Sequence, residues 1–131
     1  MSGSTISVHD NEIHSYKMLL PRRVLLVETS HKSEKTQIRF EDVLAYSFGD
    51  AGEQNIIFDI EEPGIEHFID WYRSNRETYK QFEYSYPING ITDPAALLEF
   101  LTAEGYKYWE LHAAAGLGGF VIAKNMAIEP L

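Results

Sequence analysis

The sequence is expected to fold as α+β: a single mostly antiparallel β-sheet of about five to seven strands, with two α-helices packed on one face. Three observations predict this. Segments alternating apolar and polar residues, the period of a half-buried strand, fill the first half of the chain with only short turns between them. Two segments with apolar residues at helical spacing come next, grouped together and not interleaved with strands. A last pair of strand-like segments flanks a run of small residues, as in a hairpin.

The stretch at 55–62 is the strand around which the rest is arranged. Ile56, Phe58 and Ile60 alternate with Ile57, Asp59 and Glu61, so the first three are expected to face the core and the others solvent. Upstream, a strand is expected at about 12–20, broken by Pro21-Arg22-Arg23. The mostly apolar run at 24–29 reads as a central strand, and the polar run at 30–35 as a turn. Residues 36–41 alternate cleanly, and 42–48 continue extended with Leu44, Tyr46 and Phe48 on one face. The two read as one long strand bent at Glu41-Asp42, where a bulge re-aims the side chains. Gly49-Asp50-Ala51-Gly52 is a turn.

Downstream of Pro63-Gly64, Ile65, Phe68, Ile69, Tyr72 and Tyr79 mark a helix over about 65–79, with Glu66, Asp70, Arg73 and Glu77 on its outer side. Residues 81–89 are aromatic and irregular, and Asn89-Gly90 is a turn. Thr92 or Asp93 caps the second helix, Pro94 suits its first turn, Leu97, Leu98 and Leu101 form its stripe, and Gly105 is its left-handed end. A strand at 106–112, a loop at 113–119 and a last strand at 120–124 complete the chain.

At 131 residues the chain is expected to be one domain, with 1–7 as a flexible N-terminal tail. It has no cysteine, hence no disulfide or thiolate chemistry. It shows no apolar run near the length of a membrane span and no secretory signal, so a cytoplasmic location is expected. Eleven basic residues against 20 acidic give a net charge of −9, which disfavours nucleic acid and steers basic proteins toward the chain.

Four groups of residues are candidates for function. His9, Asp10, Glu12 and His14 are imidazoles and carboxylates of the kind that ligate divalent transition metals. Glu12 and His14 would share a strand face about 7 Å apart, although no third ligand is set by spacing. Gly116-x-Gly118-Gly119 precedes a strand and not a helix, so it reads as a hairpin turn and not as a phosphate cradle. Tyr84 and Tyr86, ahead of Pro87, are the aromatics expected to be exposed and to mark a binding surface. Asp59 and Glu61 share one strand face and extend that surface with negative charge. No serine sits in a nucleophile elbow.

His9-Asp10-Asn11-Glu12-Ile13-His14-x-Tyr16, then Asn55 to Glu62, then Glu104-Gly105-Tyr106-Lys107-Tyr108 with Ala115-Gly116-Leu117-Gly118-Gly119-Phe120-Val121-Ile122-Ala123-Lys124, together resemble a family of small uncharacterised bacterial cytosolic proteins. The likeness spans about 8–127. In fold type and charge the chain is also loosely similar to the immunity proteins of bacterial toxin systems. The resemblance implies no activity and assigns no catalytic residue. The expected function is therefore a non-enzymatic acidic module, free of cofactors, that binds a basic protein such as a toxin through Asp59, Glu61, Tyr84 and Tyr86. The alternatives are a metal-dependent enzyme or metal-binding protein built on His9, Asp10, Glu12 and His14, and a homo-oligomer paired through an edge strand.

Overall fold

The computed structural model describes residues 7–77, 80–84 and 87–131. Tyr79 and Tyr86 lie outside the described residues. The strands are β1 (Glu12–Leu19), β2 (Val24–His31), β3 (Glu34–Glu41), β4 (Ala45–Gly49), β5 (Ile56–Glu61), β6 (Lys107–Ala115), β7 (Gly118–Ala123) and β8 (Asn125–Pro130). Between β5 and β6 come helix α1 (Ile65–Ser74), a 3₁₀ turn (Lys80–Tyr84) and helix α2 (Pro94–Ala103).

All strand pairs are antiparallel, in the order β4-β7-β6-β5-β1-β2-β3-β8. There are eight segments where five to seven strands are expected, and two bends account for the difference. The expected bend at Asp42 divides one long strand into β3 and β4. A second bend, at Lys124, divides another into β7 and β8, so β8 continues where the sequence pattern suggested an end. The two long strands pair along their whole length. Lys124 N–H donates to the Glu41 carbonyl and Leu44 N–H to the Ile122 carbonyl, carrying the ladder across both bends. On the far side, β5 joins β1 through Glu12 and Ile56. The eight segments thus form a ring of six strands, a split barrel made of a β4-β7-β6-β5 half and a β1-β2-β3-β8 half.

The main core fills this barrel. Ile13, Leu25, Val27, Ile38, Phe40, Ile57, Trp109, Leu111 and Val121 all point inward. Phe40 and Trp109 meet edge to face across the barrel at 5.6 Å. In β5 the phase differs from expectation: Ile57 is fully buried, whereas Phe58 is 55% exposed. The register with β6 shifts between Ile57 and Asp59, so Phe58 is the extra residue of a β-bulge. The bulge sends Ile57 and Ile60 to the core and leaves Asp59 facing outward opposite His112.

A second core joins the helices to outward-facing residues of the β4-β7-β6-β5 half, including Tyr108, Ile122 and, at its margin, Phe120. From α1 it takes Ile65, Phe68, Ile69 and Tyr72, and from α2 Leu97 and Leu101, each fully buried leucine contributing about 2 kcal/mol. α2 begins as its residues suggest, with the Asp93 carboxylate accepting from Ala96 N–H at 3.1 Å and Pro94 in the first turn. Gly105 follows its end at φ +83°. α1 stops at Ser74, short of the expected residue 79. Asn75 ends it: its side chain donates to the Trp71 carbonyl at 2.8 Å and its N–H to the Tyr72 carbonyl. Among the described residues no helix is long and apolar enough to cross a membrane.

Candidate functional site: an acidic and aromatic groove

Along β6, Tyr108, Glu110 and His112 face outward while Trp109 and Leu111 face the barrel. Beside them β5 places Asp59 opposite His112 and Glu61 opposite Glu110. Two carboxylates directly across a sheet repel. The His112 ring lies close to both, its Nε2 3.1 Å from Glu61 Oε1 and 3.3 Å from Glu110 Oε1. The buried Tyr108 hydroxyl donates to Glu110 Oε2 at 2.8 Å. Glu110 thus has the Tyr108 hydroxyl bonded to one oxygen and the His112 ring near the other.

Glu110 and His112 border a groove of about 420 Å³. Its other walls are Ser47, Gly49 and Asp50 at the end of β4, Trp71 on α1, and Gly118, Gly119 and Phe120 on β7. The helices pack on the neighbouring part of the sheet, and Trp71 of α1 forms their border with the groove. Ser47, Trp71 and Phe120 also border an apolar recess of about 60 Å³ lined by Ala45, Tyr46, Phe68 and Phe82. The Trp71 and Phe120 rings are 5.4 Å apart and fix the common wall.

Burial, and then the bond to Glu110, pushes the Tyr108 hydroxyl well above its ordinary value. Tyr72 is raised in the same way, first by burial and then by its bond to Glu83. A hydroxyl whose folded value lies above its unfolded value near 10 adds stability that is complete below that pH and lost as pH rises beyond it. In an alkaline titration followed by phenolate absorbance, at least two of the eight tyrosines are expected to stay protonated until the chain unfolds. Smooth ionisation of all eight in folded protein would refute this.

The expected site residues are dispersed. Glu61 joins the site through His112, and Asp59 lies next to it on the same side of β5, accepting from Ile60 N–H at 2.9 Å. Tyr84 is exposed, as expected, on the 3₁₀ turn. Tyr86 lies outside the described residues. The histidine group is drawn apart by the two neighbours of β1. The His9 ring packs on Phe58 at 5.4 Å and Nδ1 meets the Phe58 carbonyl, both on the β5 side, while Asp10 stays 3.5 Å from His9 Nε2. His14 turns to β2, its Nε2 2.5 Å from Ser30 Oγ, and Glu12 lies opposite Ser30 in the strand register. Among the described residues no three His, Cys, Asp or Glu side chains are placed to hold a metal ion. The glycine run forms the expected hairpin, with Gly116 at φ +72°.

Sequence reasoning missed Glu110, His112, Trp71 and Asp50. Tyr108-x-Glu110-x-His112 carries the signal, a polar alternation on the outer side of a strand whose partner was not known. No protein-family model, curated protein or solved structure matches the chain.

Proposed function

We propose that this protein is a non-enzymatic acidic binding module, cytoplasmic in location, that takes a basic segment of a partner protein in the groove beside Trp71. The observation that carries this reading is Glu110, whose Oε2 accepts from the buried Tyr108 hydroxyl, in a groove that Trp71 and Phe120 also line. A pre-oriented carboxylate binds a guanidinium or ammonium without first losing rotamer freedom. A neighbouring indole adds a cation–π contribution of about 0.5–1 kcal/mol at an exposed site. Asp50 and Glu61 extend the same charge, and the net −9 of the chain would speed encounter with a basic partner. An immunity-type inhibitor of a basic toxin fits this chemistry.

The test is a calorimetric titration with an arginine-rich peptide and its glutamate-rich counterpart. The arginine peptide is expected to bind saturably, more weakly at high salt, and about tenfold more weakly to Glu110→Gln or Trp71→Ala, a loss of about 1.4 kcal/mol. Glu110→Gln keeps an acceptor for Tyr108, so its circular dichroism should match the parent. Equal binding of both peptides, or of neither, would end the reading.

A further inference from the structure

We propose that a second copy of this chain pairs with the free edge of β4, strand to strand and antiparallel about Ser47, giving a two-fold symmetric dimer. This goes beyond the basic-partner reading and does not depend on it.

The sheet has two edge strands, β4 and β8. Edges invite pairing with another chain unless charge, proline or a covering element blocks them. β8 carries Glu129 and Pro130. β4 is Ala45-Tyr46-Ser47-Phe48-Gly49, with neither a charge nor a proline. Among the described residues no strand pairs with it on the side away from β7.

The backbone limits how a partner can dock. The Ser47 carbonyl lies against Gly119, so Ser47 bonds toward β7. By the alternation of an antiparallel ladder, Tyr46 and Phe48 turn their N–H and C=O groups to the free edge. Before them the edge is closed, because Arg23 donates to the Val43 carbonyl at 2.8 Å and to the Leu44 carbonyl at 3.4 Å. After them Asp50 leaves the strand at φ +63°. Antiparallel pairing about Ser47 uses both open residues, Tyr46 of each copy exchanging its backbone hydrogen bonds with Phe48 of the other. A centre at Tyr46 would set Phe48 against Leu44, whose carbonyl Arg23 already holds. A centre at Phe48 would set Tyr46 against Asp50, beyond the end of the strand.

Charge selects the occupant. In the Ser47 register the exposed Asp50 comes opposite Leu44 of the other copy, beside the Arg23 that holds the Leu44 carbonyl. Two-fold symmetry makes this attraction at both ends. Parallel pairing would set Asp50 beside Asp50 and Arg23 beside Arg23. A separate basic strand would bring its own charge to Arg23.

The side chains agree. Tyr46 and Phe48 share a face on which Phe48 lies 5.1 Å from Tyr16 and 5.6 Å from Tyr46. Tyr16 and Tyr46 are exposed there. The register sets Tyr46 of each copy across from Phe48 of the other, an aromatic cross-strand pair. On the opposite face the two strands present only Ala45, Ser47 and Gly49 to each other. Ser47 and Gly49 also line the groove, so the dimer sets two grooves on the same side of one continuous sheet.

The experiment is sedimentation equilibrium of the full chain, with hydrogen exchange over the same concentrations. At about 0.15 M salt the repulsion between two chains of −9 is screened beyond about 8 Å, while contact pairs persist. The ratio of dimer to monomer is expected to rise with concentration. Exchange at the Tyr46 and Phe48 amides is expected to slow with it, while Ser47, bonded within the chain, stays constant. Asp50→Asn keeps a residue suited to positive φ and removes both ion pairs, so its dimer should dissociate about tenfold more readily. A monomer at every concentration overturns the proposal. So does a dimer in which Tyr46 and Phe48 exchange as they do in the monomer, because another surface then forms it. A dimer that Asp50→Asn leaves unchanged overturns it as well. If Tyr46 and Phe48 slow only when the arginine-rich peptide is added and no dimer forms, the edge belongs to a separate strand and the proposal is wrong.

Discussion

Gly119→Ala is expected to destabilise the protein by about 3 kcal/mol or more, lowering the melting temperature by about 10 °C. Gly119 lies opposite Phe48 in the β4–β7 pair. A Cβ at this position would come within 1.8 Å of the Ser47 carbonyl oxygen and 2.9 Å of the Phe48 Cα. Both are backbone atoms, so no side-chain rotation can relieve the clash. The added methyl must push β4 off β7, opening the barrel and one wall of the groove together. Gly49→Ala is the matched control on the facing strand. Its Cβ would meet nothing within 4 Å, so its melting point should stay within about 2 °C of the parent. Similar melting points for the two variants would show that β4 tolerates displacement and that the close approach is not a constraint.

The second large effect is expected at Glu83, 1% exposed at the heart of the helical layer. Its carboxylate accepts from the Tyr72 hydroxyl and from Arg76 Nε at 2.6 Å and Nη2 at 3.3 Å. Arg76 Nη2 also reaches the Thr92 carbonyl at 2.7 Å. One buried acid thus joins α1, the 3₁₀ turn and the approach to α2. Glu83→Ala leaves the buried Tyr72 hydroxyl without this acceptor and a small void beside it, a loss of about 3 kcal/mol. Glu83→Gln keeps a neutral acceptor and should lose about half as much. Urea unfolding of the pair checks this. Equal stability of the alanine variant and the parent would mean that the cluster contributes no net stabilisation.

Local rules explain what was legible in the sequence. The cap at Asp93, the first-turn Pro94 and the left-handed Gly105 bound α2 because each acts through its own backbone. The bend near Asp42 was legible for the same reason. α1 ran shorter than its periodicity because Asn75 captures the Trp71 carbonyl, a competition that apolar spacing does not register. β5 was read in the wrong phase at Ile57 and Phe58 because a bulge is a property of two strands, and β6 was not yet its known neighbour. The site was half legible on the same ground. Asp59 and Glu61 could be placed together within one strand, whereas His112 meets Glu61 only through a pairing that crosses both helices in the sequence.

The two bent strands also set an order of events in folding. Glu41 must find Asn125, and Phe48 must find Gly119, before the ring exists. Pairings this distant in the chain close slowly, because the loop entropy is lost before contacts reward it. Until β7 and β8 arrive, the β1-β2-β3 meander has its apolar side open to water. Refolding should therefore show an early species that binds hydrophobic dyes, and the dye should leave at the rate at which the Trp109 signal becomes native.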